Sequence, residues 1–586
     1  MNIENLTAAQ AEAIHSNHPN VLVAAGPGSG KTATTVERIK RLVVDGTPPE
    51  RIVAITFTNA AAGELQERLT YDFHRITPGT LTAVPEKQTL RLGHVGTLHS
   101  FCLRMLKEYG APFGYGERTA LVSPESAEDL LASKARSLGS KTPLRKLLEL
   151  KSSSRPSYLG LSPTKDETVL MSYYDDLREA GILDFDAILD EFLSNLKDNY
   201  SFRAEIADRF DHLFVDEVQD SARIDWTIYL VLPIKNKFMV GDPDQSLYGF
   251  RGARPDDMVD RAKEPGTHLI MLEENFRSRS EICEAAQCLI EHQRDRINKV
   301  TRSVKGSGGR VEVLGPFANE GEEIGAVLQR IAAKDFMVPF SEVAILCRTN
   351  ALAARFQASL EATAIPVVRR QKSDLPADWA RCRALVELLV RPDNDALAYF
   401  YLAATAREVG LTDEEARAEA HRNRLQSASQ GQSINRRNWG FSTTRVENVP
   451  LILEKQHVSR ESRMLVAERI RELPVGTAVL DLALAMATQR DVVKEEGEVG
   501  VRVLTIHGAK GLEFDAVFVV GLEDELMPGR RQDVDVDEER RVLYVAMTRA
   551  RERLYLSYAT SRGMTYGKFT KIEPRTPSRF LEEIKP

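Results

Sequence analysis

Short apolar runs rich in β-branched residues alternate along the chain with longer stretches of helical periodicity. Residues 21–25, 52–57, 213–216 and 238–241 form one group of such runs; 311–314, 343–347, 501–505, 516–520 and 554–557 form another. Runs that are apolar throughout, rather than at every second position, fit strands covered by helices on both faces. The pattern therefore predicts two α/β cores built on parallel sheets. Each core is interrupted by a mainly helical insertion. The first lies between Phe101 and about Phe210 and holds the polar stretch 151–157; the second includes a low-complexity piece at 426–433 that reads as a linker. The expected division is residues 1–105 plus 206–275 for the first core and 106–205 for its insertion. Residues 276–392 plus 497–586 form the second core, interrupted by an insertion at 393–496.

Composition changes this picture little. A chain of 586 residues is too long for one hydrophobic core, and 42% hydrophobic with 28% charged residues is ordinary for a globular protein. Five cysteines, Cys102, Cys283, Cys288, Cys347 and Cys382, show no zinc-type pairing. With no signal peptide before the first motif and no apolar run near 20 residues, the expected location is the cytoplasm, with no membrane association. A net charge of −7 argues against coating DNA by bulk charge but leaves room for a basic groove on an acidic body.

Chemistry enters at the end of the first apolar run. Ala25-Gly26-Pro27-Gly28-Ser29-Gly30-Lys31-Thr32 lies between a strand and a helical run, the order required of a phosphate-binding loop. Glycines let backbone N–H groups close around phosphate oxygens at a helix start. Lys31 is expected on the β and γ phosphates, and Thr32 on Mg²⁺. A second apolar run ends in Asp216-Glu217. Asp216 is expected near the metal, and Glu217 is placed to orient or deprotonate an attacking water. Arg277 and Arg549, both far downstream, are candidate cations for the developing γ-phosphate charge. If both reach it, ATP sits between two domains.

These pieces resemble the superfamily 1 helicases of the UvrD, Rep and PcrA type, in that family's order from Leu6 to Phe580. Leu6-Thr7-Ala8-Ala9-Gln10 looks like the Q motif, with Gln10 reading adenine. Thr56-Phe57-Thr58-Asn59 and Gly96-Thr97-Leu98-His99 resemble the first single-strand contacts. Asp216-Glu217-Val218-Gln219-Asp220 matches Walker B, and Gly241-Asp242-Pro243-Asp244-Gln245 through Ala253 matches the coupling motif. Glu274-Asn275-Phe276-Arg277-Ser278, Thr505-Ile506-His507-Gly508-Ala509-Lys510-Gly511-Leu512-Glu513 and Glu538 through Ala550 complete the set.

The resemblance implies two RecA-like cores, ATP with Mg²⁺, and 3′-to-5′ movement on single-stranded DNA, with 3′-tailed duplex as the unwinding substrate. It makes Gln245 the γ-phosphate sensor, stacks Phe276 on adenine and places Glu513 on the ribose. Arg38 joins the expected ATP-binding set. Phe57, Tyr248 and Phe250 are expected to stack on bases, with Asn59, Thr97, His99, Arg251 and His507 as further DNA contacts. Aromatic faces hold any base at ~1–3 kcal/mol each, which suits a motor indifferent to sequence. A basic run, Lys134, Arg136, Lys141, Arg145, Lys146, Lys151 and Arg155, and the cluster Arg436-Arg437-Asn438-Trp439 are further candidates for nucleic-acid contact.

Some features depart from the family. The second insertion is short for the family, and Walker B runs into Ser221-Ala222-Arg223-Ile224-Asp225 where a Thr-Asn pair is usual. No tail for RNA polymerase binding and no nuclease domain are expected after Phe580. The short insertion keeps open a second function: a regulatory DNA-dependent ATPase subunit serving a nuclease or repair-protein partner, as in anti-phage helicase-nuclease complexes.

Overall fold

The computed structural model describes residues 6–71, 90–113, 115, 119–122, 124–153, 164–180, 182–249, 252–333, 338–373, 376, 378–390, 449–455, 457–472, 482–483, 486, 492–496, 499–530, 534–566 and 569–584. Two parallel sheets dominate. The first orders its six strands His94–Gly96, Ile52–Ile55, His212–Val215, Asn236–Gly241, Asn20–Ala25 and His268–Leu272. The second orders Arg310–Phe317, Ala550–Ala559, Phe514–Val520, Val343–Cys347 and Arg502–Thr505. These are the two RecA-like cores.

Burial explains why the inner strands were visible in the sequence. Every residue of Ile52–Ile55 and Val343–Cys347 is buried, as a parallel strand between helix layers requires. His94–Gly96 is only three residues long, and His268–Leu272 is an edge strand that leaves Met271 exposed. The first is too short to stand out, whereas 269–272 is an apolar run that the sequence-based reading did not include. The antiparallel hairpin of Ser561–Tyr566 and Phe569–Pro574 is also absent from the sequence-based reading, because its strands are largely polar.

The first insertion shares a core with its sheet. Phe101 meets Phe192 edge-on at 5.9 Å, and the cluster they belong to also takes in Leu22, Val53 and Ile55. Local signals start its helices: Asp184 caps Phe185–Asp198 by accepting from Ala187 N–H at 2.8 Å, and Asn199 caps Tyr200–Arg209. Trp379–Val390, expected in the second core, packs instead with the insertion helices Val449–Lys455 and Arg460–Glu472 around a separate apolar cluster that includes Leu385, Leu453 and Val466. Asp378 ties this group together, accepting from the Ser459 and Ser462 hydroxyls at 2.7 Å each. The linker at 426–433 and the Arg436 to Trp439 cluster lie outside the described residues. No described helix is long and apolar enough to cross a membrane.

Candidate nucleotide and nucleic-acid site

Parallel strands deliver their carboxyl ends to one edge of a sheet, which is where ligands bind in such folds. In the first core, the strands Asn20–Ala25, His212–Val215 and Asn236–Gly241 end there in the phosphate loop, in Asp216-Glu217 and in Asp242 respectively. Gly28 and Gly30 take positive φ values of 66° and 80°, and Gly30 opens the helix Lys31–Val44. The Ser29 hydroxyl donates to Gly26 O at 2.7 Å, closing the loop from within. Gln10 braces it from outside. Its Nε2 donates to Ser29 O at 3.0 Å, while its Oε1 accepts from Thr7 N–H in a reciprocal cap at the start of Ala8–His15.

Lys31 Nζ lies 3.7 Å from Glu217 Oε2, and the Thr32 hydroxyl donates to Asp216 Oδ2 at 3.3 Å. Burial and the adjacent Glu217 push the Asp216 carboxyl up. Burial also opposes ionisation of Glu217, but Lys31 and Lys510 outweigh it and hold that carboxyl down. Of the two, Glu217 is thus the committed anion. It sits in the left-handed region at φ 53°, a conformation that costs a non-glycine residue ~1–3 kcal/mol and is retained where surrounding structure enforces it. The Gln219 amide, which donates to Glu217, is part of that enforcement.

The second core closes over this edge. Phe276 N–H donates to Gly28 O at 3.0 Å, and a Cβ on Gly28 would stand 2.6 Å from Arg277 Cβ and 2.9 Å from Asn275 Oδ1. Asn275 Oδ1 in turn accepts from the N–H groups of Arg277 and Ser278 at 2.7 Å each, shaping the turn that carries the arginine. Arg549 is buried, and its Nη2 donates to Gln245 Oε1 at 3.1 Å. Burial, then the neighbouring Arg277, disfavours the Arg549 charge; an incoming phosphate would relieve that penalty. The Arg277 backbone and Cβ thus lie against the phosphate loop while its guanidinium turns to Glu513 and Thr548 O, and Arg549 reaches the coupling motif. Gly28→Ala is expected to hold the two lobes apart, lowering kcat about 100-fold or more with near-native folding, since loss of one aligned stabilising group costs that much. Steady-state hydrolysis beside a thermal unfolding curve checks it.

Three expected ATP contacts are placed differently. The Arg38 guanidinium points away from the loop, donating to Ala13 O and, at 2.9 Å, to Ser16 O, and lying 4.8 Å over the Phe238 ring. It secures the end of the helix Ala8–His15 and is removed from the ATP-binding set. Gln10 has both amide atoms engaged as described, so bracing the loop is its visible work. Glu513 accepts from Arg277 and, at 3.1 Å, from Arg551; burial opposes its ionisation, but these two cations hold the carboxyl down. It orients an arginine here. Phe276 is partly exposed beside the loop, with its ring free of the core.

A cleft of about 610 Å³ runs from Asp216 and Glu217 past Phe57, Asn59, Thr97 and His99 to Phe185 and Arg469. The Asp216 and Glu217 carboxylates and the expected single-strand contacts therefore line one continuous space. Phe57 stacks on Tyr248 with ring centroids 4.9 Å apart, so a base must add to this pair or part it. His99 stacks on Phe185 at 4.0 Å, and burial pushes it down to about 3, leaving a neutral ring. Thr97 caps the helix Leu98–Tyr109 through Ser100 N–H at 3.3 Å, which fixes the turn on which His99 stands. His507 lies near the backbone of Leu247, and burial and Arg348 lower its proton affinity. Phe250 and Arg251 lie outside the described residues.

The basic run does not form one open track. Lys151 is buried between Asp184, at 3.0 Å, and Asp186, and Lys134 pairs with Asp176. Arg136, Lys141, Arg145 and Lys146 are exposed; Arg155 lies outside the described residues. The sequence reading also passed over Lys510, which bonds Asp220, lies 4.8 Å over the Tyr248 ring and reaches Gln245 O at 3.4 Å. Its place in a recognised motif was the available signal. Among the described residues no cluster of three or more metal-binding side chains occurs.

Comparison with known proteins agrees with this layout. Residues 6–265 match the family profile of the UvrD/REP helicase N-terminal domain, and residues 270–375 and 463–561 match that of the UvrD-like helicase C-terminal domain. Similar proteins include the ATP-dependent DNA helicase PcrA of Leuconostoc citreum, 29% identical over all of this chain and 86% of the relative. The PcrA proteins of Staphylococcus epidermidis and Staphylococcus aureus are 25% and 24% identical, over 99% of this chain and 86% of theirs.

Proposed function

We infer the activity from one premise: the chain belongs to the UvrD-like helicase family. We propose that it moves 3′ to 5′ along single-stranded DNA, hydrolysing ATP between its two cores, and opens 3′-tailed duplex. The observation that supports this most directly is the bond between Arg549 of the second core and Gln245 of the first, beside Glu217. Hydrolysis that disturbs one side of that contact moves the other.

Within this reading Lys31 and the loop amides hold the phosphates, Glu217 orients the attacking water, and Arg277 and Arg549 stabilise the developing charge. The hard oxygen donors of Thr32 and Asp216 fit Mg²⁺, which would neutralise charge on the β and γ phosphates. Gln245 and Lys510 pass the nucleotide state to Tyr248 and Phe57, whose grip on bases changes as the lobes close. Duplex opening costs ~1.4 kcal/mol per base-pair step, within the ~1–3 kcal/mol of one stacked base. The five free cysteines, four of them buried, suit a reducing cytoplasm.

ATPase rates with and without single-stranded DNA, followed by displacement assays on 3′-tailed and 5′-tailed duplexes, test the proposal. DNA-stimulated hydrolysis with unwinding of the 3′-tailed substrate alone is expected. Unwinding only from a 5′ tail, or hydrolysis indifferent to DNA, would refute it.

A further inference from the structure

Asp242 and Asp244 are completely buried at the end of Asn236–Gly241, and two cations outside every recognised motif reach them. Lys299 Nζ stands 2.7 Å from Asp242 Oδ1 and also pairs with Asp244, while Arg296 Nη2 stands 2.9 Å from Asp244 Oδ2. The Lys299 side chain is only 1% exposed. A lysine buried that deeply persists when its charge is matched, and here the match is to a residue with several other duties. The Asp242 N–H donates to Gln219 Oε1 at 2.9 Å, and the Gln219 amide donates onward to Glu217. The Asp242 carboxylate accepts from Gln245 Nε2, and Gln245 Oε1 accepts from Arg549.

The orientation of the Gln245 amide follows from this. An ionised carboxylate can only accept hydrogen bonds and a guanidinium can only donate them. With Asp242 on one side and Arg549 on the other, Gln245 must turn its nitrogen to the aspartate and its oxygen to the arginine. The salt bridge to Lys299 holds the Asp242 carboxylate in place for that part. Arg296 already balances Asp244; the cation in contact with Asp242 is Lys299.

We propose that Lys299 is a positioning residue for hydrolysis: it fixes Asp242, and through it aligns Gln245 with Arg549 and Gln219 with Glu217. The proposal rests on the reading of Gln245, Glu217 and Arg549 as ATP-hydrolysing machinery. It places a determinant of kcat at a buried lysine within a largely exposed segment.

Two variants test it in the full-length protein. Lys299→Met is expected to lower DNA-stimulated kcat about 10- to 100-fold, the usual penalty for removing a group that orients an active residue. The KM for ATP and the affinity for a single-stranded oligonucleotide are expected to stay within about threefold. Because this variant leaves two buried carboxylates with one cation, its unfolding midpoint should fall. In Lys299→Met with Asp244→Asn the charge is again balanced, since Arg296 also feels Asp242. The midpoint should return while kcat stays low. Recovery of kcat along with stability, full activity in the single variant, or failure of both variants to fold would assign the cluster a purely structural role and overturn the proposal. A wild-type protein without DNA-stimulated ATPase would instead refute the functional reading on which it rests.

Discussion

Replacing Arg549 by alanine is expected to cut the DNA-stimulated turnover of ATP by about 10³-fold or more while leaving ATP and single-stranded DNA bound. An arginine delivered to the γ-phosphate is worth ~10³–10⁵ in rate, and this one is buried with every nitrogen directed. Its Nε donates to Val545 O at 3.0 Å, Nη1 to Leu512 O at 3.3 Å and Nη2 to Gln245 Oε1. Arg549→Lys should recover little, because an ammonium restores the charge without the planar fork that spans these three acceptors. Single-turnover hydrolysis beside equilibrium binding of a fluorescent ATP analogue separates the two effects. A variant that still hydrolyses within tenfold of wild type would remove the interlobe arginine from the mechanism.

Lys31→Ala is expected to abolish measurable turnover and to spare DNA binding. Losing one preorganised donor to a developing anion typically costs ~10²–10³ in rate. Here the lysine also leads the cations that keep Glu217 ionised against burial. The substitution therefore removes a phosphate contact and raises the proton affinity of the residue that orients water. Steady-state ATPase and oligonucleotide anisotropy check both halves. Turnover close to wild type would dismiss the phosphate-loop assignment.

The residues that were legible in the sequence share one property: local chain geometry demands them. The strand, glycine loop and helix around Lys31, the strand ending at Asp216, and the apolar inner strands each carry their own short-range pattern. So does Thr97, a helix cap that also sets His99 in place. What stayed hidden depends on contacts far apart in the chain. Nothing near Arg38 reveals that its guanidinium turns to the carbonyls of another helix. Lys151 looks like one more solvated cation until Asp184 and Asp186 fold over it. Lys299 sits in a polar stretch with no periodicity, yet it is among the most buried charges of the chain. Phe57 and Tyr248 were separately legible as aromatic contacts; their mutual stack was not, because 191 residues separate them.

The crossing between the two cores leaves the first sheet at Leu272, whose carbonyl accepts from Gly26 N–H at 3.0 Å, and meets Gly28 again through the N–H of Phe276. Those bonds belong to the main chain, and the close approach they need leaves no room for a Cβ at Gly28. A pivot made this way tolerates change in the residues around it but not at the glycine it closes on. It also sits at the phosphate loop, so a small displacement there would be magnified across the whole width of the distal lobe.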